Sequence, residues 1–293
     1  DEVITPTFTF IATAEVVALL GLTPVVVDVD YDTMCVTAEA IERAITPKTK
    51  AIVPVHLFGQ NADMESILEV ARRHNLFVVE DACQSMGSKY TFSDGRVAAS
   101  GTMGDIGCTS FFPSKNLGCY GDGGALFTND DELAQKIRVI ANHGMEVRYH
   151  HDVVGVNSRL DSIQAAVLLA KLPHLDEYIE ARQKAAEYYS EALKGDIRFL
   201  TPVVGKNTTH AFHQYTLRCL GVDRDELREQ LAAKGVPAMV YYPIPLHQQK
   251  AYQDARYKAG DFPVAEKLAR EVLSLPMHTE LDAEQLAYIV GCL

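Results

Sequence analysis

The sequence lacks the features that define several large classes of protein. It has no run rich in lysine or arginine, and no apolar run of the length that crosses a membrane. The formal net charge of -12 argues against nucleic-acid binding, so an anionic ligand would need a local site of backbone N–H groups and a few cations. We therefore expect neither a nucleic acid nor a membrane as a partner.

Cysteine is sparse and scattered. The chain has 6 cysteines in 293 residues, and none of them forms a CxxC pair. In a chain of this length that spacing favours reduced thiols and a cytoplasmic location. The histidines have no metal-ligand spacing supported by neighbouring cysteines or acids. Adjacent residues rarely bind one ion together, which argues against His150 and His151 as a ligand pair, so we predict no metal.

Strand-like apolar segments alternate with helical segments over the first 130 residues. The strand candidates are 24–30, 51–55, 76–81, 108–112 and 124–129. This alternation predicts an α/β fold with a largely parallel sheet that is covered by helices on both faces. Ligands of such sheets bind at the carboxyl ends of the strands, and Asp81 and Lys115 both lie at or just past a predicted strand end.

From Asp130 onward the pattern becomes mostly helical. The predicted elements are helices at 130–144, 159–172 and 174–194, a strand at 213–220, a helix at 223–234, a proline-rich loop at 241–246 and a final helix pair. We interpret 1–175 as a large domain. Residues 176–293 are interpreted as a linking helix followed by a smaller C-terminal α/β domain.

Lys115 lies in the segment TSFFPSKNLGCYGDGG, between a strand candidate and a glycine-rich loop. A single lysine is usually a solvated surface charge. Here Phe111 and Phe112 precede the lysine, Pro113 stiffens the approach, and little side-chain bulk follows. Such surroundings favour a partly desolvated amine, which can lose its proton and act as a nucleophile toward carbonyl groups.

Asp81 ends the segment LFVVED, where an acid is often a helix cap or a loop charge. The functional alternative pairs this carboxylate with Lys115. A lysine that forms a Schiff base, together with an aspartate on a pyridinium nitrogen, is the recurring arrangement for pyridoxal phosphate, whose ring acts as an electron sink. The two residues together therefore point to pyridoxal 5'-phosphate (PLP) as a cofactor.

Three segments, VVEDACQSMGS, GDIGCTSFFPSKNLGCYGDGGAL and VGVNSRLDSIQAAVL, resemble the DegT/DnrJ/EryC1/StrS family of sugar aminotransferases. The resemblance implies the type I fold of PLP-dependent transferases, with a mainly parallel seven-stranded sheet between helices. It also implies an enzyme that moves an amino group from glutamate to a keto-sugar nucleotide. The lysine segment, with RYHH and YPIPL downstream, is most similar to members that aminate UDP-2-acetamido-2-deoxy-3-oxo-glucuronate for bacterial O-antigen, a part of lipopolysaccharide.

The resemblance gives a role to each matching residue. Lys115 would form the Schiff base and then move the proton, and Asp81 would bind the pyridine nitrogen. Gln84 would hydrogen-bond the ring hydroxyl, although a polar residue on a helix surface is the ordinary alternative. Ser110 would bind the phosphate. Phe10 would stack on the cofactor ring, although a phenylalanine is more often plain core.

Two residues match positions that the family supplies from a neighbouring subunit, which implies a homodimer with shared active sites. Asn157 would reach the phosphate, and Arg159 would bind the substrate carboxylate with its planar fork of donors. The alternative for Arg159 is an ion pair at a helix terminus with Asp161 or another nearby acid. Tyr241 and Tyr242 would line the sugar-nucleotide site, although relatives have histidine where this chain has Tyr241.

The sequence departs from the family at its start. Family members carry several tens of residues ahead of this point, including a Ser-Gly-Thr type loop that binds the cofactor phosphate. We expect that this N-terminal segment is missing from the sequence.

Three alternative functions stay open. They are the same chemistry on a 4-keto-6-deoxy or other keto-sugar nucleotide, a sugar dehydration, and a non-enzymatic, cofactor-free remnant. Dehydrating relatives carry histidine in place of the lysine, so Lys115 argues against the dehydration.

Overall fold

The computed structural model describes residues 1–293. The first part of the chain forms eight strands: β1 (Glu2–Pro6), β2 (Thr23–Val27), β3 (Thr49–Ile52), β4 (Phe77–Asp81), β5 (Lys89–Thr91), β6 (Val97–Ala99), β7 (Ile106–Ser110) and β8 (Gly124–Phe127). Six of them form the central sheet in the order β2-β1-β3-β4-β7-β8. All neighbouring pairs are parallel except β7 and β8, which are antiparallel. The mainly parallel sheet expected from the sequence is therefore confirmed.

The number of strands in this sheet differs from the expected seven. The sheet has six strands, and β5 and β6 pair with each other as a separate antiparallel hairpin. The sequence pattern also does not single out β1, whose five residues include a terminal proline. β1 nevertheless lies inside the sheet, paired with β2 on one side and β3 on the other.

Nine α-helices accompany the strands: α1 (Ala12–Leu19), α2 (Ala38–Ala44), α3 (Met64–His74), α4 (Asp131–Ala141), α5 (Ser162–Lys171), α6 (Leu175–Ala192), α7 (Arg224–Ala233), α8 (Pro263–Glu271) and α9 (Ala283–Gly291). Several begin at the caps that the sequence provides. The Asp130 carboxylate accepts the N–H groups of Glu132 and Leu133 at the start of α4. Helix α5 begins at Ser162, three residues later than the expected start at Arg159, so Asn157 and Arg159 lie in the preceding loop.

The C-terminal part contains a small antiparallel sheet. Its strands are β9 (Phe199–Leu200), β10 (Tyr215–Cys219) and β11 (Val272–Leu275), in the order β11-β10-β9. Helices α6, α7 and α9 cover this sheet with a buried apolar cluster of 17 residues. The central sheet has its own cluster of 31 residues, which also takes in Leu268 and Ala269 of α8. The division at residue 175 stays a prediction, because the larger core includes side chains from both sides of it.

The topology places the ends of several strands together. β1, β3, β4 and β7 run parallel, so their carboxyl ends meet at one edge of the sheet. The segments that follow them there are 7–10, 53–56, 82–84 and 111–115. No helix has the length and apolar composition that a membrane crossing requires.

Candidate active site

Asp81 is the last residue of β4, the strand between β3 and β7. Its half-buried carboxylate accepts two hydrogen bonds, one from Thr13 Oγ1 to Oδ2 at 2.6 Å and one from the Cys83 N–H to Oδ1 at 3.2 Å. Its backbone N–H donates to Pro54 O at 2.9 Å. These contacts hold an acceptor at the sheet edge, where it can bind a protonated ring nitrogen.

Lys115 follows β7 in a tight turn, because its backbone N–H donates to Phe112 O at 2.8 Å. The turn also brings Gly118 against Pro113, where a Cβ atom would lie only 2.5 Å from the Pro113 carbonyl oxygen. Burial lowers the pKa of the Lys115 amine, although the nearby Cys83 and Asp81 act in the opposite direction. The sequence expectation of a partly desolvated amine agrees with this environment.

Gln84 is buried just beyond Asp81, and both ends of its amide are occupied. Its Oε1 accepts the Phe58 N–H at 2.8 Å, and its Nε2 donates to the Tyr242 hydroxyl at 3.0 Å. Burial raises the pKa of Tyr242, which keeps the phenol protonated at neutral pH. Since no protein group accepts the phenol proton, Tyr242 can donate a hydrogen bond to a ligand.

Aromatic side chains surround this position. The Tyr242 ring lies 6.2 Å from the Phe8 ring and 6.1 Å from the Phe10 ring, centroid to centroid. Phe8 is fully buried, whereas 55% of Phe10 is exposed. An exposed aromatic ring beside the sheet edge can cover one face of a planar cofactor, and the ordinary core reading of Phe10 does not fit its exposure. Tyr241 is half-buried, and its ring packs edge-on against the Tyr242 ring with 5.8 Å between the ring centroids.

Ser110 is the last residue of β7 and is half-buried. Its hydroxyl accepts the Phe112 N–H at 3.2 Å, which leaves the hydroxyl proton free for a ligand such as a phosphate oxygen.

Asn157 and Arg159 lie apart from the residues described so far. Both are exposed, and Arg159 Nε donates to Asn157 Oδ1 at 3.1 Å. They line an open cleft of about 620 Å³ next to β8, and neither bonds to Asp81, Gln84 or Lys115. Arg159 forms no ion pair with Asp161 or any other acid. The alternative role for Arg159, an ion pair at a helix terminus, is therefore not observed.

Buried polar groups that the sequence analysis did not single out also lie near the lysine. His213 is buried, its Nδ1 has no hydrogen-bond partner, and burial together with Lys115 and Arg182 lowers its pKa well below the ordinary value. This ring is therefore neutral. Thr13 was also missed. The only available signal was its position in the first turn of α1, shortly after β1.

The residues at the sheet edge suit PLP. A cofactor of this kind needs an amine that can be deprotonated, a carboxylate for the ring nitrogen and an aromatic surface for the ring. Lys115, Asp81 and Phe10 provide these three groups, and Gln84 and Tyr242 add hydrogen-bonding groups beside them. The fold and this constellation together define a PLP-dependent transferase of fold type I.

Comparison with known proteins narrows this class. The DegT/DnrJ/EryC1/StrS aminotransferase family matches residues 1–293. The chain therefore belongs to the DegT/DnrJ/EryC1/StrS aminotransferase family, as the sequence motifs indicated, and is a PLP-dependent aminotransferase of sugar nucleotides.

Individual relatives are similar over almost the whole chain. A "pleiotropic regulatory protein" of Geobacillus stearothermophilus is 51% identical over 99% of this chain and 77% of its own. The UDP-2-acetamido-2-deoxy-3-oxo-D-glucuronate aminotransferase of Pseudomonas aeruginosa is 50% identical over 100% of this chain and 79% of its own. The dTDP-3-amino-3,4,6-trideoxy-alpha-D-glucose transaminase of Streptomyces venezuelae is 42% identical over 99% and 75%.

A solved structure supports the cofactor assignment. NtdA of Bacillus subtilis, solved with the bound cofactor PMP, superimposes with a TM-score of 0.89 at 34% identity. The match covers 100% of this chain and 66% of that one.

Proposed function

We propose that this aminotransferase moves an amino group from glutamate to UDP-2-acetamido-2-deoxy-3-oxo-glucuronate, in the synthesis of a bacterial O-antigen sugar. The Pseudomonas aeruginosa relative, at 50% identity, carries the name of that activity. The observation in this chain that supports a uronate is Arg159, an exposed guanidinium with no carboxylate partner. Both glutamate and a uronic acid carry the carboxylate that such a planar fork of donors binds.

The proposed chemistry assigns tasks to a few side chains. Bound PLP would supply the electron sink for the carbon that loses its proton. Lys115 Nζ would hold the cofactor aldehyde at rest, and its amine, with a pKa lowered by burial, would then accept and return the proton at carbon. Asp81, held by Thr13 and Cys83, would keep the ring nitrogen protonated. Tyr242 would donate a hydrogen bond from its hydroxyl to the cofactor or the sugar.

We further propose a homodimer in which Asn157 and Arg159 serve the partner's active site. The loop that carries them and the start of α5 that follows it expose a set of large apolar side chains: Val147, Tyr149, Val153, Val154, Val156, Leu160 and Ile163. Exposed apolar side chains grouped in this way are typical of a protein interface. We also propose a cytoplasmic location, which the six free cysteines support because thiols are kept reduced in that compartment.

The first experiment tests the lysine. The purified protein is incubated with PLP, reduced with borohydride and digested, and the peptide that contains Lys115 is examined for a pyridoxyl mass. We expect the adduct on Lys115. An unmodified Lys115 in the presence of added PLP would contradict the proposed mechanism.

A second experiment separates this substrate from the alternative, a neutral 4-keto-6-deoxy sugar nucleotide. That alternative is motivated by the Streptomyces venezuelae relative, whose name refers to a deoxygenated dTDP-sugar. Replacement Arg159→Gln should reduce kcat/KM for the 3-keto uronate far more than for a neutral keto-sugar nucleotide. Equal losses on both substrates would count against the uronate. Arg138 is another exposed arginine, and Arg138→Gln serves as the control.

A further inference from the structure

Glu80 directly precedes Asp81 and is fully buried, but the proposed chemistry gives it no task. Successive side chains of a strand point to opposite faces, so Glu80 leaves β4 on the face away from Asp81. A fully buried acid is rare unless it is paired or hydrogen-bonded. The environment of Glu80 therefore needs an explanation.

Four donors meet this carboxylate. Oε1 accepts the N–H groups of Met103 at 2.5 Å and Gly104 at 2.6 Å. Oε2 accepts His56 Nε2 at 2.8 Å and the Gly101 N–H at 3.0 Å. Burial alone would raise the pKa of Glu80, but the bonds from His56 and the backbone hold it below the ordinary value. Glu80 is therefore an ionised carboxylate that fixes the segment 101–104.

His56 is fully buried as well, and its contacts define its proton. Its Nδ1 accepts the Ala62 N–H at 3.2 Å, so in the neutral ring the proton lies on Nε2 and is donated to Glu80. The backbone N–H of His56 donates to Asp81 O at 3.0 Å. One residue thus binds Glu80 through its side chain and Asp81 through its backbone.

The same contacts reach Gln84. The bond from Ala62 to His56 closes the loop 57–61, which contains Phe58. The Phe58 N–H is the group that orients the Gln84 amide, and Gln84 in turn donates to Tyr242. A change at Glu80 or His56 can therefore displace both Asp81 and Gln84 without touching either side chain.

We propose that His56 and Glu80 form a positioning pair that fixes Asp81 and Gln84 for the cofactor ring. This inference rests on the cofactor-binding roles proposed for Asp81 and Gln84. In Glu80→Gln, the amide keeps one acceptor oxygen but presents an NH2 group where two N–H donors arrive. His56 cannot adapt by moving its proton, because Nδ1 is needed for the Ala62 N–H. In His56→Asn, the short side chain no longer reaches Glu80.

The matched control is Asp28→Asn. The Asp28 carboxylate also accepts backbone N–H groups, those of Val29, Val264 and Ala265. It follows β2, which lies three strands away from β4 in the sheet. This control therefore imposes the same chemical change on the fold at a distance from Asp81.

The test measures three properties of each variant of the purified protein. They are the melting temperature without cofactor, the Kd for PLP from absorbance titration, and the pH midpoint at which the absorbance of the bound cofactor changes. We expect Glu80→Gln and His56→Asn to raise the Kd at least tenfold and to shift the pH midpoint. Asp28→Asn should lower the melting temperature but leave Kd and midpoint unchanged.

Two outcomes would overturn the positioning role. One is a Kd within twofold of the wild type in His56→Asn and in any folded Glu80→Gln. The other is an equal rise in Kd in Asp28→Asn. Asp81→Asn is measured alongside to separate this inference from the proposed function. If Asp81→Asn weakens PLP binding and the other two do not, only the positioning role is wrong. If Asp81→Asn also has no effect on PLP binding, the proposed role of Asp81 and the positioning role are both wrong.

Discussion

The hydrogen bond between Gln84 and Tyr242 offers a sharp test of the candidate site. Tyr242→Phe removes the hydroxyl that accepts from Gln84 Nε2 and that is free to donate to a ligand. Gln84 is only 8% exposed, so its Nε2 would lose an acceptor in a place with little access to water. A buried donor left unpaired costs about 1–3 kcal/mol, whereas removing both partners is much less costly.

These values convert into an expected change in affinity. If about 1 kcal/mol of the loss falls on the cofactor-bound state, the Kd for PLP rises roughly fivefold in Tyr242→Phe, because a tenfold change corresponds to about 1.4 kcal/mol. Gln84→Met removes the amide with little change in volume, and the loss of the Phe58 N–H acceptor that it also causes is common to the single and the double variant. The double variant should bind PLP better than the sum of the two single losses predicts, with a coupling free energy of about 1 kcal/mol.

The assay is the absorbance titration of cofactor-free protein with PLP for the wild type, both single variants and the double variant. Tyr241→Phe is the control, because the Tyr241 hydroxyl has no hydrogen-bond partner in the protein although its ring lies 5.8 Å from Tyr242. Paired with Gln84→Met, it should give no coupling. Additive losses for Tyr242→Phe and Gln84→Met, within about 0.3 kcal/mol, would refute a functional hydrogen bond between these side chains.

Two further predictions concern stability. Gly107→Ala should destabilise the protein by about 3 kcal/mol or more, because the added Cβ would lie 1.8 Å from the Gly101 carbonyl oxygen. Denaturant unfolding measures this loss. The control is Gly21→Ala, where φ is positive but no atom lies within 4 Å of the added Cβ, so a larger loss in Gly107→Ala is due to the clash. Burial lowers the pKa of His210 to about 3, so the unfolded chain binds one more proton than the folded one between that value and the ordinary pKa of about 6.5. The free energy of unfolding should then fall as pH drops through this window, by about 1.4 kcal/mol per pH unit from this group, and a His210→Gln variant with the same slope as the wild type would contradict the assignment.

The residues that could be predicted from the sequence share one property. Asp81 and Lys115 lie at or just past strand ends, and strand ends follow from short-range patterns of apolar residues and turns. The unusual surroundings of Lys115 were also local, since the bulky and glycine-rich neighbours are adjacent in the chain. The family motifs then added the roles of Gln84 and Ser110.

The supporting contacts are long-range and could not be predicted in the same way. Thr13 and Asp81 are separated by 68 positions, and Gln84 and Tyr242 by 158. Both pairs depend on the register of the sheet and on the path of the loops between elements. A local sequence pattern contains no information about either. The hydrogen bond from Phe58 to Gln84 is even harder to predict from the sequence, because its donor is a backbone N–H, which every residue except proline has.

The sequence by itself determined the alternation of strands and helices, the desolvated lysine and the family, because each depends on residues close together in the chain. Only the tertiary structure decided that the sheet has six strands, that Arg159 has no carboxylate partner and that the buried Glu80 carboxylate accepts from four donors. The physical reason is that burial and hydrogen bonding are properties of packed elements. The segment VVED has the same sequence whether its glutamate faces solvent or packs against a loop. Only the packing of the folded chain buries Glu80 beside Asp81.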